Sequence, residues 1–498
     1  MNILGVSAGF HDAAITAVRD GEIVFAGHSE RYSKRKHDSN LHPDLIKDAL
    51  HYLGDVEQIA YYEKPWLKRM RQLYAGQYYD ALHPYNLRNE LYKVAQWSGL
   101  HSLPIKNYNH HLSHAAAGFQ TSPYTDATVV VIDAIGEWDT MSIWHAYYDD
   151  RGGRAHYKKL WSQKYPHSIG LMYSAFTKHV GLKPLDEEYI LMGMAGWGKY
   201  DSIRQLRLNH SVVDDDQELK FRHNFHLGLP EDIVLPSKDE DVAYAAQELT
   251  EELISSIMLK AQRLGSSDNL VYMGGVALNC RANRILGEYY DNIWIMPNPG
   301  DAGSSLGAAA LAWGHRLHWH NASLGFDIVG PYPVKDIISE LATNKICGVA
   351  SGRAEFGPRA LGNRSLLADP RGPEIKDKVN EIKRRQKFRP FAPVILEELV
   401  HEYFDMPVNW NSSPYMQVVA RCKHPDLFPA IVHVDGTSRV QTVAKDGGGI
   451  RELLEQWYVW TGCPMLLNTS LNIRGEPMVN DRKDADRFEQ LYGVKVCS

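Results

Sequence analysis

Two histidines four residues apart are the side chains of this sequence best suited to chemistry. His110 and His114 lie in the stretch YNHHLSHAAAGF. If this stretch is helical from about residue 110, the spacing puts both imidazoles on one face, where two neutral nitrogens can bind one metal ion. His111 points away from that face. The same residues also fit the start of a helix with one hydrogen-bonded core histidine and two exposed ones. The pair alone therefore does not distinguish a metal site from a purely structural helix.

Three polar turns that follow buried strands are the second chemical feature. The first turn contains His11, and the second begins with Asp133. A polar turn next to a buried strand is unusual unless it faces a ligand. The third turn, Gly274 and Gly275, would let the backbone approach a phosphate or nucleoside closely, although tight packing uses the same pattern about as often.

The order of strands and turns repeats along the chain. Residues 3–26 read as strand, polar turn, strand, glycine turn and strand, and residues 127–160 read the same way, with a glycine turn at 150–153. Two copies of one unit predict a duplicated α/β fold with a cleft between the facing polar turns. Residues 42–102, between the copies, have mostly the apolar spacing of helices.

The length of the chain predicts at least two domains. Its 498 residues exceed the size at which a single core stops growing, and residues 316–333, rich in Gly and Pro, read as a linker. We therefore place a first domain at 1–325 and a second at 326–498. Within the second, residues 345–391 hold 12 Lys and Arg against 5 Asp and Glu. Because these arginines stand beside Gly and Pro, they suit planar contacts with phosphate or carboxylate.

Bulk composition excludes several classes of function. A formal net charge of -6 argues against a general nucleic-acid binder. The N-terminus lacks a basic segment followed by an apolar one, and no uncharged apolar run is long enough to span a bilayer. The five cysteines form no C-x-x-C pair, which favours free thiols. We expect a cytoplasmic protein without a membrane partner.

Taken together and in order, the motifs of this chain resemble one known family, the NodU/CmcH-type O-carbamoyltransferases. The resemblance covers nearly the whole chain. The motifs that carry it are residues 7–12, 30–31, 34–38, 110–114, 133–137, 273–279, 300–307, 357–365, 383–393, 435–439 and 468–472.

The resemblance implies a fold and a reaction. The fold is a duplicated actin-like ATPase domain (ASKHA type, ribonuclease H-like) at 1–325, followed by a YrdC-like α/β domain at 326–498. In the family, the YrdC-like domain joins carbamoyl phosphate and Mg-ATP into carbamoyl adenylate and releases pyrophosphate. The first domain then transfers the carbamoyl group to an acceptor hydroxyl, expected here on a sugar, a nucleoside or an antibiotic-like molecule.

The resemblance also implies roles for individual residues. His11 is the expected general base of transfer. The expected metal ligands, with iron(II) preferred over manganese(II) or zinc(II), are His110, His114, Asp133 and Asp301. The residues expected to bind the nucleotide or carbamoyl adenylate in the first domain are Lys36, Gly136, Gly274, Gly275 and Asn279. Those expected to bind carbamoyl phosphate and ATP in the second are Arg359, Lys383, Arg389, Arg439, Ser470 and Asn472. For Arg359 and the nearby Arg364, structural bracing of their turn is as good an interpretation as ligand binding.

Some alternatives stay open at this stage. Ala134 stands where the family usually has Gly, which puts the contribution of that turn in doubt. The acceptor can instead be a macromolecule, through threonylcarbamoylation of tRNA or carbamoylation of a protein; the lack of a preceding zinc-finger or acylphosphatase-like segment argues against the protein case. A nucleotide-binding regulator without activity is a third alternative, against which the complete metal set argues. A homodimer is compatible with everything above.

Overall fold

The computed structural model describes residues 1–150, 152–199, 211–213, 219–231, 233, 235–265, 267–387 and 389–498. Arg151, in the predicted glycine turn, and Phe388, in the basic motif, lie outside these residues. The chain divides into two compact units, residues 1–33 with 37–320, and residues 34–36 with 321–498. The division thus falls after residue 320, whereas the sequence placed it after residue 325.

The first unit is a mixture of strands and helices. Its strands are β1 (Asn2–Ser7), β2 (Ala14–Arg19), β3 (Glu22–His28), β4 (Gln58–Tyr61), β5 (Ile105–Asn107), β6 (Asp126–Ile132), β7 (Asp139–Tyr148), β8 (Ala155–Lys164), β9 (Ser211–Val213), β10 (Leu219–Phe221), β11 (Asn269–Met273) and β12 (Asn292–Trp294). Its helices are α1 (Glu30–Ser33), α2 (Pro43–Leu53), α3 (Pro65–Tyr74), α4 (Tyr78–Leu82), α5 (Leu87–Ala95), α6 (His110–Thr121), α7 (Ile169–His179), α8 (Glu188–Met194), α9 (Asp239–Leu264) and α10 (Ser304–Trp313).

Two sheets of this unit have the same topology. The first has the order β3-β2-β1-β4-β5 and the second the order β8-β7-β6-β11-β12. In each, the first three strands in sequence are antiparallel, and the first, fourth and fifth are parallel. This is the ribonuclease H-like strand order, so the predicted duplication of an α/β unit is confirmed.

The sequence prediction missed two strands of the first sheet. Residues 42–102 were assigned mostly to helices, yet β4 lies within them, and β5 follows directly after. Both strands are short, and β4 stands among amphipathic helices, so a helical period dominates any window that contains it. Parallel pairing with β1 is what makes β4 a strand, because its pairing partner lies more than 50 residues away.

Helix α10 packs against both α6 and β1 through small residues. A Cβ on Gly307 would lie 1.8 Å from the carbonyl oxygen of Ser113 in α6, and a Cβ on Gly5 would lie 2.0 Å from the carbonyl oxygen of Ser305. The hydroxyls of Thr16 and Ser305 are 2.8 Å apart and hydrogen-bonded. Only a run rich in Gly, Ala and Ser permits such close backbone approach, which explains the composition of both helices.

The second unit is built on one mixed sheet. Its strands are β13 (Ser323–Ile328), β14 (Ile346–Ala350), β15 (Gly352–Glu355), β16 (Arg364–Ala368), β17 (Ala392–Leu396), β18 (Phe404–Asp405), β19 (Val418–Cys422), β20 (Thr437–Val443), β21 (Met465–Ser470) and β22 (Val496–Cys497). Its helices are α11 (Val334–Asn344), α12 (Ile375–Ile382), α13 (Val400–Tyr403), α14 (Gly448–Thr461) and α15 (Arg482–Tyr492). Eight strands pair in the order β18-β19-β20-β17-β21-β16-β14-β22.

The predicted linker is not an unstructured segment. Residues 323–328 within it form β13, which pairs antiparallel with β15. Pairing with a strand further along the chain overrides the local signal of Gly325, Gly330 and the prolines. All five cysteines are free, as the sequence predicted, and all five are buried. Among the described residues, the helices are all too short or too polar to cross a membrane.

Gly307→Ala should destabilise the first unit by about 1–3 kcal/mol, because the added methyl group must separate α10 from α6. Urea unfolding of the full chain measures the change. Gly152→Ala is the matched control, since the nearest atom to its Cβ, a carboxylate oxygen, would be 3.8 Å away. Equal stability of the two variants would contradict the close packing of the helices.

Candidate metal centre

Four buried side chains of the first unit converge on one point. The Nε2 atom of His110 lies 3.2 Å from Asp133 Oδ2 and 3.4 Å from Asp301 Oδ1. The Nε2 atom of His114 lies 3.3 Å from Asp301 Oδ1 and 3.1 Å from Nε2 of His110. One ligand atom of each residue lies within 4.8 Å of the others, so this group can hold a metal ion. These are the four residues predicted as ligands.

Helix α6 presents its two histidines from a capped N-terminus. The side chain of Asn109 is the N-cap and accepts a hydrogen bond from the amide of Leu112 (3.4 Å). The Nδ1 atom of His114 faces the carbonyl oxygen of Pro299 (3.1 Å). A proton on Nδ1 is donated to that carbonyl, which leaves the lone pair of Nε2 for a metal ion.

The two carboxylates come from turns that follow strands. Asp133 is the first residue after β6, and its Oδ1 accepts a hydrogen bond from the amide of Gly275 (3.1 Å). Asp301 begins a short 3-10 turn that leads into α10. Parallel strands of such sheets bring ligand sites to their carboxyl ends, which is where Asp133 and Gly275 meet.

Glu137 is a residue of this centre to which sequence reasoning assigned no role. Its carboxylate accepts hydrogen bonds from the amide of His110 (3.1 Å to each oxygen), the amide of Lys64 (2.8 Å) and the side-chain amide of Asn109 (2.9 Å). It therefore fixes the start of α6, where a negative charge also favours the helix dipole. Its position in the motif 133–137 was the available signal, but spacing alone does not reveal amide partners.

The electrostatics of the cluster fit a cation. Burial opposes a charge on His110, but the carboxylates of Asp301 and Asp133 outweigh it and raise the pKa of His110 well above its usual value. Burial likewise opposes the charge of Asp133, yet the imidazoles hold its pKa at about 2. Two ionised carboxylates buried together need positive charge beside them. Two imidazole nitrogens and two carboxylates form a donor set suited to iron(II), manganese(II) or zinc(II), so the residues present fit a divalent metal.

His111 lies beside the cluster without joining it. Its Nδ1 is 2.7 Å from the hydroxyl of Ser142, on the side away from the carboxylates. Burial, together with the neighbouring His110, lowers the pKa of His111 well below its usual value, so this imidazole is neutral. His111 therefore points away from the face of α6 that carries His110 and His114, as expected.

His11, the expected general base, reaches the edge of the metal centre. It lies in the polar turn after β1, and its Nε2 is 3.7 Å from Asp301 Oδ2. Its Nδ1 is 2.8 Å from Asp12 Oδ2. The side chain is 25% exposed, whereas the four clustered side chains are nearly inaccessible. His11 is therefore the part of this group that a reactant from solvent can touch.

Three of the residues expected to bind the nucleotide shape the turns around the cluster. Gly274 has a φ of +93°, and a Cβ there would lie 2.2 Å from the carbonyl oxygen of Ile132. A Cβ on Gly136 would lie 3.0 Å from ring atoms of His110 and His111. The amide of Gly275 holds Asp133, as described above. These contacts explain the glycines by packing, and nucleotide binding by them stays a prediction.

The other two expected nucleotide residues are Asn279, which ends the short 3-10 helix that begins at Gly275, and Lys36. The side-chain amide of Asn279 exchanges hydrogen bonds with that of Gln247 (3.0 and 3.1 Å). Lys36 belongs to the segment 34–36, which groups with the second unit. Ala134, the departure from the usual Gly, accepts a hydrogen bond at its carbonyl from Ser168 Oγ (2.6 Å). The contacts of Asn279 and Lys36 with carbamoyl adenylate stay predictions.

In the second unit, three of the predicted phosphate-binding residues are in direct contact. Lys383 is 3% exposed, and the three N–H groups of its Nζ have four acceptors within hydrogen-bond distance, namely Ser470 Oγ (3.2 Å), Asn472 Oδ1 (2.9 Å) and the carbonyl oxygens of both residues. Burial, with the nearby charges of Arg385 and Arg389, lowers the pKa of Lys383 well below its usual value. The described acceptors of Nζ are all neutral, so an anion bound here would be the first counter-charge of this lysine.

One arginine of the second unit, Arg364, braces the fold, whereas Arg439, Arg389 and Arg359 remain candidates for binding an anion. The buried guanidinium of Arg364 donates to the carbonyl oxygens of five residues, so its donors are used within the fold and bracing explains it. Arg439, on β20, has a buried Nε without a hydrogen-bond partner among the described residues. Arg389 lies close enough to Lys383 to affect its pKa. Arg359 is half-buried in the turn before β16.

Comparisons with known proteins agree with the sequence resemblance. A family model described as "Carbamoyltransferase N-terminus" matches residues 2–310, and one described as "Carbamoyltransferase C-terminus" matches residues 338–496. An uncharacterised protein of Synechocystis is 33% identical over 98% of this chain and 94% of its own length. The nodulation protein NolNO of Sinorhizobium fredii is 30% identical over 95% of this chain and 76% of its own length. Nodulation protein U of Rhizobium tropici is 29% identical over 99% of this chain and 95% of its own length.

Asp301→Asn and His114→Ala should each weaken the binding of iron(II), manganese(II) and zinc(II) by more than about 100-fold, because the first replaces a charged carboxylate with a neutral amide and the second removes one of four donors from a buried site. Metal content after anaerobic reconstitution and titration with a competing chelator measure the loss. His111→Gln is the control, since His111 bonds Ser142 instead of the cluster. Unchanged affinity in Asp301→Asn, or an equal loss in His111→Gln, would contradict this ligand set.

Proposed function

Because the chain belongs to the carbamoyltransferase family and is a carbamoyltransferase enzyme, we propose that it makes carbamoyl adenylate in the second unit and transfers the carbamoyl group to a hydroxyl in the first. Carbamoyl phosphate, Mg-ATP and water are consumed in the first step: water releases orthophosphate from carbamoyl phosphate, and an oxygen of the resulting carbamate attacks the α-phosphate of ATP, which releases pyrophosphate. The observation that carries the proposal is the buried group of His110, His114, Asp133 and Asp301, with His11 beside it.

The four clustered residues would hold a divalent metal, with iron(II) preferred. When bound, such an ion supplies Lewis-acid stabilisation of the charge that develops as AMP leaves. The chain's own contribution is to orient both imidazoles through α6 and to hold Asp133 through the amide of Gly275. A preorganised site of this kind lowers the barrier because its dipoles need not reorient during the reaction.

His11 is the group that would accept the proton of the acceptor hydroxyl. Proton removal must accompany attack, since a neutral alcohol is a poor nucleophile. The exposed face of His11 allows the acceptor to approach, while its Nε2 stays at the edge of the four-residue cluster, 3.7 Å from Asp301. A general base in such a position typically contributes about 10²–10⁴-fold in rate.

The second unit has the features needed to join two polyanions. Carbamoyl phosphate and ATP repel each other, and buried cations offset that repulsion. Lys383, with Ser470 and Asn472 around its ammonium group, would bind the phosphate groups together with Arg389 and Arg439. The buried, unpartnered Nε of Arg439 supports this assignment. Arg359 would assist from the turn before β16, and the unit would then correspond to the YrdC-like domain of the resemblance.

Lys383→Ala should abolish the release of pyrophosphate from ATP in the presence of carbamoyl phosphate, whereas His114→Ala should retain it. The first variant removes the buried cation of the adenylate-forming site, and the second removes a donor of the transfer site only. An assay specific for pyrophosphate measures its release separately from orthophosphate, and mass spectrometry measures the carbamoylated acceptor, which both variants should fail to form.

Because Lys383 has several partners within the fold, Arg439→Gln serves as a second variant, and thermal unfolding confirms that both are folded. Gln keeps the side chain only as far as the position of Nε and has no charge, so it should reduce the same step by about 10–100-fold, the loss of a charged hydrogen bond. Loss of pyrophosphate release to the same extent in His114→Ala would contradict two separate sites.

The acceptor should be a small hydroxylated molecule. Incubation with carbamoyl phosphate, ATP and a panel of sugars, nucleosides and hydroxylated antibiotics should add the mass of a carbamoyl group to at least one of them. The same incubation with tRNA and with unfolded protein is the comparison. Carbamoylation of the macromolecules alone would overturn the small-molecule assignment.

A further inference from the structure

A chain of hydrogen-bonded side chains runs from the metal centre to the surface of the first unit. His11 Nδ1 lies 2.8 Å from Asp12 Oδ2, and Asp12 Oδ1 lies 2.7 Å from His37 Nδ1. His37 Nε2 lies 2.9 Å from Asp186 Oδ1, and Asp186 pairs with the exposed Lys183 (3.0 Å). Each carboxylate oxygen of Asp12 thus faces a different imidazole.

The backbone at the middle of this chain is strained. Asp12 and His37 have φ values of +54° and +55°, in the left-handed region that residues other than glycine rarely adopt. Such conformations persist only where surrounding contacts hold them, and they cluster at functional sites. Here they aim the Asp12 carboxylate at His11 and the His37 ring at Asp12. The amide of His37 is held in turn by Glu30 Oε2 (2.9 Å).

His37 is a cation in this arrangement rather than a metal ligand. Its two ring nitrogens face two carboxylates, so each nitrogen donates a proton. Burial opposes this charge, but the hydrogen bonds to Asp12 and Asp186 outweigh it and raise the pKa of His37 to about 10. Although Asp12, Glu30 and His37 lie close enough to hold an ion, a doubly protonated imidazole has no lone pair to offer one.

We propose that Asp12 is the carboxylate that orients His11 for catalysis and that His37 holds Asp12 in the required position. The inference rests on the proposed function, in which His11 accepts the hydroxyl proton. Asp12 accepts the Nδ1 proton of His11, which leaves the lone pair on Nε2, the nitrogen that faces the metal centre. Both act through His11, so they are positioning residues.

The transfer step then balances as follows. The O–H bond of the acceptor breaks as its proton forms a bond with Nε2 of His11, and the oxygen electron pair attacks the carbamoyl carbon. AMP leaves with the electrons of the bond between that carbon and the phosphate oxygen. The Nδ1 proton stays on His11 throughout, and the ionised Asp12 stabilises the imidazolium that forms, as an orienting carboxylate does in a Ser-His-Asp triad.

Asp12→Asn tests the orienting role with little change of shape, since Asn tolerates the left-handed backbone. Its amide group can donate to Nδ1, which moves the His11 proton to Nε2 and blocks the base. We expect kcat for carbamoyl transfer to fall by about 10²–10⁴-fold, with KM for the acceptor and the rate of pyrophosphate release unchanged. His37→Asn keeps the backbone but loses both hydrogen bonds, and kcat should fall by a smaller factor of about 10. Asp44→Asn, in the exposed first turn of α2, is the control and should retain activity.

Two further measurements separate the possible results. ¹⁵N NMR of histidine-labelled enzyme, with the His11 signals assigned from His11→Gln, should show the tautomer of His11 exchanged in Asp12→Asn. His11→Gln/Asp12→Asn should be no slower than His11→Gln alone. If His11→Gln is inactive but Asp12→Asn has normal kcat and the wild-type tautomer, the positioning role is wrong while the proposed function stands. If His11→Gln itself retains full transfer activity, the general base is misassigned and both fail.

Discussion

Two ionised carboxylates buried against two imidazoles impose the constraint on which the rest of the first unit depends. Asp133 and Asp301 come from different turns, and their mutual repulsion in a site of low polarity is relieved only by positive charge between them. Protonated His110 supplies that charge, and the lone pairs of His110 and His114 can bind a cation instead. The site is therefore stable only if α6 brings both rings to the carboxylates within hydrogen-bond distance.

That requirement explains the composition of the surrounding helices. Even a methyl group at Gly307 would move α10 away from α6, and so separate Asp301 from His114, because a Cβ there would lie 1.8 Å from the carbonyl oxygen of Ser113. The cap of α6 serves the same end, because Asn109 and Glu137 together bind the amides of its first turn. Small residues between the helices and hydrogen bonds to the first amides of α6 thus together set the distance between the imidazoles and the carboxylates.

Duplication of the strand order explains why the reactive groups meet at one place. β1 and β6 are the first strands of the two copies, and each ends in a polar turn, with His11 in one and Asp133 in the other. The two turns have the same place in their sheets but different chemistry, with the proposed base His11 in one and the proposed metal ligand Asp133 in the other. The second unit has the opposite electrostatic problem, because the charged form of the buried Lys383 has only neutral oxygens as its described acceptors and its pKa is lowered. Such a site favours an anion for the same reason that the metal centre favours a cation.

Sequence alone determined the features that depend on neighbours a few residues away. These include the histidine pair on one helical face, the buried strands around β6 and β11, and the duplication of the strand pattern. Only the tertiary structure decided the rest, because it depends on residues far apart along the chain. β4 is a strand through its pairing with β1, and β13 through its pairing with β15, against local signals for a helix and a linker. The hydrogen bond of Asp12 to His37 spans 25 positions and that of His37 to Asp186 spans 149, so local spacing could not reveal how His11 is held.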